Sequence, residues 1–261
     1  MTGSFNFEIV DAVDYEELRP GYAPEAVAWV VEQGRLRRES VVLDLAAGTG
    51  QLSRQLTGLD LEVVAVEPAS NMRAILEDRV PSVRAVDVAA EALPFESGSV
   101  DGVVVGNAFH HFDRDAAFAE LRRVLRPRGV LALFWAWPLE EEQRSIPGIE
   151  EIYEVVERAR EASEIIAAYR SWSEPPDVEE GFEPFTRREF PHLHVLPSAR
   201  LAALYATSSD VASLPEGVRN TLLERIRDIA RHLPETLELP SRTVVDVTRK
   251  ARLGSCGDRS I

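Results

Sequence analysis

Val41-Val42-Leu43-Asp44-Leu45-Ala46-Ala47-Gly48-Thr49-Gly50 (VVLDLAAGTG) is the stretch that decides the fold. Its first half is apolar except for Asp44 and reads as a buried strand. Its second half is made of small residues, and Gln51–Leu59 follows with Leu52, Leu56 and Leu59 at helical spacing. Small residues between a strand and a helix let the backbone pass close beneath a ligand, and the amides at the start of the helix face the ligand's negative group. Glu67 ends the next apolar run, nineteen residues after Gly48. An acid at about that distance beyond a glycine turn is positioned to accept hydrogen bonds from both hydroxyls of a ribose.

Outward from this stretch, apolar runs alternate with amphipathic ones. Leu61–Val66, Val83–Val88, Val100–Val105 and Val130–Trp137 read as strands. Ser70–Arg79 reads as a helix, with Ser70 as N-cap and Met72, Ile75 and Leu76 on one face. Asp115–Arg126 reads as another, stopped by Pro127–Gly129, and a further helix, Glu25–Gln33, lies ahead of the first strand. Strands that are apolar throughout are covered on both faces, which predicts a mostly parallel sheet in an α/β domain.

After Pro138 the composition shifts. Glu140–Glu142 and Ser145–Gly148 read as a solvated connection, Glu150–Arg170 as an amphipathic helix and Ser173–Gly181 as a loop. Phe185–Val195 has strand character, but Pro191 pushes it to an edge or a bulge. Ser198–Thr207 and Glu216–His232 read as helices and Thr243–Val247 as the last strand. The expected organisation is one domain over 1–250: a ligand-binding core at 24–137, lid insertions at 138–181 and 198–238, and a mobile tail at 251–261.

The chain has 261 residues, 45% hydrophobic and 28% charged, which excludes a disordered chain or a disulfide scaffold. Its net charge is −15, against a nucleic-acid partner, and its basic residues are arginines apart from Lys250. A single cysteine, Cys256, makes neither an internal disulfide nor a cysteine metal cage. No apolar run is long enough to span a membrane and no secretory signal is read, so a soluble cytoplasmic protein, monomeric or homodimeric, is expected.

The ligand need not be a nicotinamide dinucleotide. That spacing wants a third glycine where Ser53 stands, and the loop opens with Asp44, which would repel a pyrophosphate and welcome an ammonium group.

VVLDLAAGTG at 41–50, VAVEPASNM at 64–72, AEALPF at 90–95, NAFHHF at 107–112 and RVLRPRGVLALFW at 123–135 together resemble the class I S-adenosylmethionine-dependent methyltransferases. Within these the likeness is to the methyltransferase type 11 branch, similar to trans-aconitate methyltransferases. The segment Tyr15–Tyr22 and the C-terminal pieces 188–192 and 238–243 match that branch too.

The resemblance implies a Rossmann-like sheet, mostly parallel with an antiparallel last strand, helices on both faces and helical lids. It implies S-adenosyl-L-methionine as cofactor and a small-molecule methyl acceptor. By the same likeness, Asp44 reaches the methionine ammonium, and Ala46, Gly48 and Gly50 form the loop beneath the methionine part. Glu67 holds the ribose, Pro68 and Met72 border the adenosine, and Ala90 with Glu91 meets the adenine edge. Asn107 lies beside the sulfonium. Tyr15, Arg19 and Tyr22 sit on a segment that closes over the cofactor, with Arg19 facing its carboxylate. The chain departs from the pattern at Ala46, where a glycine is usual and which fits if its φ is negative. It departs also at Ala89, Arg128 and Ser241.

His110 and His111 follow the fourth strand at the mouth where the methyl group would sit. Either is a candidate general base for an acceptor hydroxyl or amine; the alternative is that they pack or shape the pocket. His192 and His194 alternate on a strand and read as surface or lid residues rather than a metal pair. Trp135 and Trp137 read equally as core or pocket wall. Two other functions share these features: a methyltransferase-like protein that binds the cofactor without catalysis, and an NAD(P)-dependent oxidoreductase.

Overall fold

The computed structural model describes residues 7–161 and 179–252. The elements are α1 (Ala12–Leu18), α2 (Pro24–Gly34), β1 (Val41–Leu45), α3 (Gln51–Thr57), β2 (Glu62–Val66), α4 (Ser70–Arg79), β3 (Arg84–Val86), β4 (Val100–Gly106), α5 (Arg114–Val124) and β5 (Leu125–Pro138). They continue with α6 (Glu140–Arg144), α7 (Ile149–Glu161), β6 (Thr186–Pro197), α8 (Leu201–Ala206), α9 (Ser209–Ala212), α10 (Glu216–Ala230) and β7 (Thr236–Arg249). Among the described residues no helix is long and apolar enough to cross a membrane. The expected continuation of α7 to Arg170, most of the loop over Ser173–Gly181 and the tail beyond Arg252 lie outside the described residues.

The strands form one seven-stranded sheet in the order β3-β2-β1-β4-β5-β7-β6. The first five are parallel, while β7 runs antiparallel between β5 and β6. Consecutive residues of each strand feed opposite faces. Val42, Ala65, Val104 and Ala132 pack with Val30, Leu52 and Leu56 of α2 and α3. Leu43, Val66, Val105 and Leu133 pack with Phe118, Leu121 and Val124 of α5. This is why the strands show no alternation of polar and apolar residues: both sides are covered. As Pro191 required, β6 is an edge strand.

A third apolar cluster stands apart from the sheet's two faces. Ile149, Ile152, Tyr153 and Val156 form the buried stripe of α7 and meet Leu201 of α8, Leu222 and Ile226 of α10, and Leu237 and Leu239 of β7. Ile152 and Ile226 are completely buried, each contributing roughly 1.5–3 kcal/mol.

Local expectations fail at four places. Ser70 is not the cap of α4: Ala69 holds that position, and Glu8 from the N-terminal segment accepts the Ser70 N–H (2.6 Å) and hydroxyl (3.2 Å). Pro127–Gly129 does not end α5, which stops at Val124; the chain turns extended at Leu125, and the pairing with β4 shifts register between Val100 and Gly102. The proline and its neighbours sit inside that irregularity, with Arg128 at φ +69°. Glu140–Glu142 is solvated as expected, but it forms the first turn of α6 rather than a connecting turn, and its three carboxylates meet the positive helix end. The last strand begins at Thr236 rather than Thr243, because Leu237 and Leu239 point into the third cluster and draw the chain into the sheet.

Candidate active site

In the sheet, chain order reverses between β1 and β4, the position at which open α/β sheets place ligands beyond the strands' carboxyl ends. Ala90 lies after β3, Glu67 after β2, the glycine loop after β1, Asn107–His111 after β4, and Trp135–Trp137 at the end of β5. The sequence-predicted residues therefore line one edge.

The loop after β1 turns sharply. Ala46, Gly48 and Gly50 have φ of +51°, +56° and +89°. The condition under which an alanine fits at 46, a negative φ, is not met: Ala46 is left-handed, a conformation that costs a Cβ-bearing residue roughly 1–2 kcal/mol. Gly50 has a second constraint, since a Cβ there would stand 3.0 Å from Leu76 Cγ and 3.2 Å from Val80 Cγ2. The loop is tied back to β2 through Ala47 N–H donating to the Val66 carbonyl (3.1 Å).

Glu67 is buried, and both its oxygens are engaged. Gly48 N–H donates to Oε2 and Ala69 N–H to Oε1, each at 2.8 Å. Burial raises its pKa, opposed by these two amides. Arg73, which sequence reasoning missed, donates from Nη1 to the carbonyls of Glu67 (2.7 Å) and Pro68 (3.1 Å) and from Nη2 to Asp87 (3.0 Å). It holds the ends of β2 and β3 together beneath Glu67.

Asp44 is 1% exposed. Its Oδ2 accepts the hydroxyl of Ser53 at 2.7 Å. Ser53, noticed in the sequence only as a missing glycine, is thus the residue that orients the acid. Burial pushes the Asp44 carboxyl up to about 7 despite this bond, with Glu67 adding to the rise. A carboxyl in such surroundings is stabilised in its charged form by a cation.

The N-terminal segment lies across the crevice. Arg54 of α3 pairs with Glu16 (2.7 Å), and Gln55 donates to the Tyr22 carbonyl (3.0 Å). Asn71 of α4 donates to the carbonyls of Phe7 (3.1 Å) and Val10 (2.9 Å). The Phe7 ring meets His111 edge-on at 5.3 Å. Tyr15, Arg19 and Tyr22 come to the site on this segment. Arg19 lies over the Tyr15 ring (5.4 Å) and donates to the Thr207 carbonyl (3.1 Å). Burial raises the hydroxyl pKa of both tyrosines, with Glu67 adding to the effect on Tyr15 and Asp44 to that on Tyr22. Tyr22 packs edge-on against Phe134 (5.5 Å), and its hydroxyl crosses Gly106, where any Cβ would collide with it.

Three further predicted residues have partners of their own within the fold. Met72 is buried in a small cluster with Val10 and Ala12, covered by the N-terminal segment. Ala90 packs into the α5 face of the core. The Glu91 side chain accepts the N–H of Asp113, the N-cap of α5, at 2.8 Å. Pro68 is exposed beside Glu67.

On the far side, Asn107 at φ +49° accepts the Ala136 N–H through Oδ1 (2.9 Å). His110 lies against His111 (ring centroids 3.9 Å apart) and stacks on Trp135 (5.8 Å). Burial pulls His110 down to about 3, helped by His111, and His111 down to about 4. These residues, with Arg19, line a chamber of about 150 Å³, and both Trp135 and Trp137 form its wall.

A family model described as a methyltransferase domain matches residues 43–133. An uncharacterized methyltransferase of Mycobacterium tuberculosis is 32% identical over 215 residues, 82% of each chain. A methyltransferase-like protein of Schizosaccharomyces pombe is 29% identical over 225 residues, 86% of each chain. A solved Anaeromyxobacter dehalogenans protein assigned as a type II methyltransferase superposes with a TM-score of 0.55 at 25% identity, covering 90% of this chain and 98% of its own. The names of these relatives specify no acceptor, so the likeness reaches the family and not the trans-aconitate branch. With the sheet order and the glycine loop already described, the chain belongs to the class I S-adenosylmethionine-dependent methyltransferases.

Proposed function

We propose that this chain moves the methyl group of S-adenosylmethionine to an oxygen, nitrogen or carbon nucleophile of a small molecule. One observation carries the reading: two buried carboxylates stand at the ends of adjacent strands, Asp44 with a pKa near 7 that calls for a cation and Glu67 braced by two loop amides. That pair of acceptors fits the cofactor. An ammonium answers Asp44. Glu67 keeps acceptor sites for a pair of hydroxyls, since a carboxylate offers about four lone-pair sites and two are used.

When bound, the cofactor supplies a methyl group already activated by a sulfonium. The chain's own residues hold it. Asp44 takes the ammonium, Arg19 the carboxylate, the Ala46–Gly50 backbone the methionine part, Glu67 the ribose, and Pro68 and the Ala90–Glu91 backbone the adenosine. Asn107, with Tyr15 and Tyr22, borders the sulfur. Holding nucleophile, methyl and sulfur in line lowers a barrier by about 7–11 kcal/mol. The N-terminal segment and α6–α8 keep water out while this occurs.

The two histidines serve here as neutral wall. With pKa values near 3 and 4 they are uncharged at neutral pH and weak proton acceptors, whereas an effective base titrates near the working pH.

The experiment is titration calorimetry with S-adenosylhomocysteine and with NAD, followed by transfer of a labelled methyl to a compound panel. Binding of the first alone, with label appearing in product, is expected. Binding of NAD alone would refute the reading, and cofactor binding without product over a broad panel would favour the non-catalytic form.

A further inference from the structure

Beyond the 150 Å³ chamber lies a larger one of about 1130 Å³, enclosed by α6, α7, α8 and the ends of β5 and β7. Arg19, Ala136 and Trp137 line both and form the neck. The chambers differ in chemistry. Among the described residues no carboxylate lines the small one. Its polar wall combines the donors of Trp135, Arg19 and Asn107 with the hydroxyls of Tyr15 and Ser209 and two imidazoles, and among the described residues it carries no negative charge. Trp135 is 7% exposed, and its Nε1–H is buried with no acceptor among the described residues; Arg19 Nε is in the same condition. An indole nitrogen donates only, and an unsatisfied buried donor costs roughly 1–3 kcal/mol, so this wall favours a guest that accepts. Asn107 has already spent its carbonyl oxygen on the Ala136 N–H, which leaves its amide N–H groups.

The large chamber is walled by Ile152, Val156, Leu201 and Leu239, all buried apolar residues. Its outer rim is acidic: Glu140, Glu141, Glu142, Glu157 and Glu161 are exposed there. Arg160 and Arg242, the other arginines of its lining, are paired with Asp210 and Glu189. A volume just above the usual ligand-pocket range of roughly 300–1,000 Å³ admits a drug-sized guest, and an acidic rim repels one with several negative charges.

Resting on the methyltransferase reading above, we infer that the acceptor is a bulky, mainly apolar molecule carrying one ionised oxygen, with the oxygen held in the small chamber by Trp135 Nε1 and Asn107. The oxygen's lone pair forms the new O–C bond, the methyl–sulfur bond breaks with its electron pair going to sulfur, and no proton changes hands. This accords with imidazoles too weakly basic to take one. Polycarboxylates are disfavoured by the acidic rim, and an ammonium in the small chamber by the lack of any carboxylate among its described lining residues to pair with it.

The test is calorimetric titration of the full chain, saturated with S-adenosylhomocysteine, using three probes: 2-naphthoate, 2-naphthylmethylamine and benzene-1,3,5-tricarboxylate. The naphthoate is expected to bind at least tenfold more tightly than the other two. Trp135→Phe is expected to weaken naphthoate about tenfold and leave S-adenosylhomocysteine affinity unchanged, which also shows that the variant is folded. Equal or tighter binding of the amine or the tricarboxylate overturns the inference, as does a Trp135→Phe protein with unaltered naphthoate affinity. If S-adenosylhomocysteine itself does not bind, the cofactor reading fails and takes this inference with it; the two failures are thus separable.

Discussion

Glu67 and Gly48 are joined by a 2.8 Å hydrogen bond from the Gly48 N–H to Glu67 Oε2, so the carboxylate assigned to the ribose also fixes the loop assigned to the methionine. The two halves of the cofactor are thus coupled through one side chain. Glu67→Gln retains the shape but turns an NH2 group toward one of the two donors, Gly48 N–H or Ala69 N–H. An unpaired donor costs roughly 1–3 kcal/mol of stability, and a ribose hydroxyl that loses its bond to a charged carboxylate gives up roughly 1.5–3 kcal/mol, so affinity for S-adenosylhomocysteine should fall about 10- to 100-fold. Calorimetry measures this directly, and an unchanged Kd would remove Glu67 from the site.

The pH dependence of cofactor affinity should report Asp44. Its carboxyl titrates near 7 in the free protein, and an ammonium beside it would favour the charged form, so binding expels a proton. Affinity therefore rises as pH increases from 5 to 7, by up to tenfold per unit, and levels off above. The binding enthalpy of S-adenosylhomocysteine, measured in buffers of differing ionisation enthalpy at one pH, gives the proton release. Asp44→Asn should abolish both the release and the slope; a slope that persists in the variant assigns it to another group.

Ala46 offers a stabilising substitution. Its φ of +51° puts a Cβ-bearing residue in the left-handed region. Glycine relieves a cost of roughly 1–2 kcal/mol and gives back about 0.4–1 kcal/mol through the freer unfolded chain. Ala46→Gly should gain about 0.5–1 kcal/mol, raising the Tm by about 1–4 °C. Thermal melts followed by circular dichroism would show it, and a lower Tm would mean that the methyl's packing against the α5-side core outweighs the strain.

The sheet was legible because its strands are apolar on both faces, and every loop residue along its carboxyl edge follows from that order. Glu67 and Asp44 were legible from spacing and charge. What escaped depends on partners distant in sequence. Ser53 looked like a defect in a glycine pattern until it lay against Asp44. Arg73 is an ordinary helix-surface arginine until the ends of β2 and β3 come beneath it. Nothing in the sequence around Phe7 points to its partner, and only the dock of the N-terminal segment on Asn71 brings it to His111. The sign of φ at Ala46 is set by the turn as a whole and cannot be read from its neighbours.

His110 and His111 should leave their mark on stability rather than on the rate of transfer. Both are held below the ordinary imidazole value of 6.5, to about 3 and 4, by burial. Such groups take up protons in the unfolded chain first, so their contribution to stability is complete above pH 6.5 and is lost as pH falls toward 4. Each histidine costs at most about 1.4 kcal/mol per unit in that window. Asp44, whose pKa is raised, opposes the trend with a single proton: it binds more in the folded state between pH 4 and 7, so its own contribution declines as pH rises. His194, also lowered by burial, and Asp210, held low against the effect of burial by Arg160, act with the two histidines, while Glu67, raised by burial, acts with Asp44; the lowered groups outnumber the raised ones and leave a net fall in Tm on acidification. The double variant His110→Asn with His111→Asn should flatten the slope of Tm between pH 4 and 6.5, and an unchanged slope would mean that neither imidazole contributes. In parallel, kcat/KM for the acceptor, measured with the cofactor saturating so that Asp44 no longer contributes, should show no inflection near 6.5. A clear inflection there that vanishes with His110→Asn would reinstate that histidine as the base.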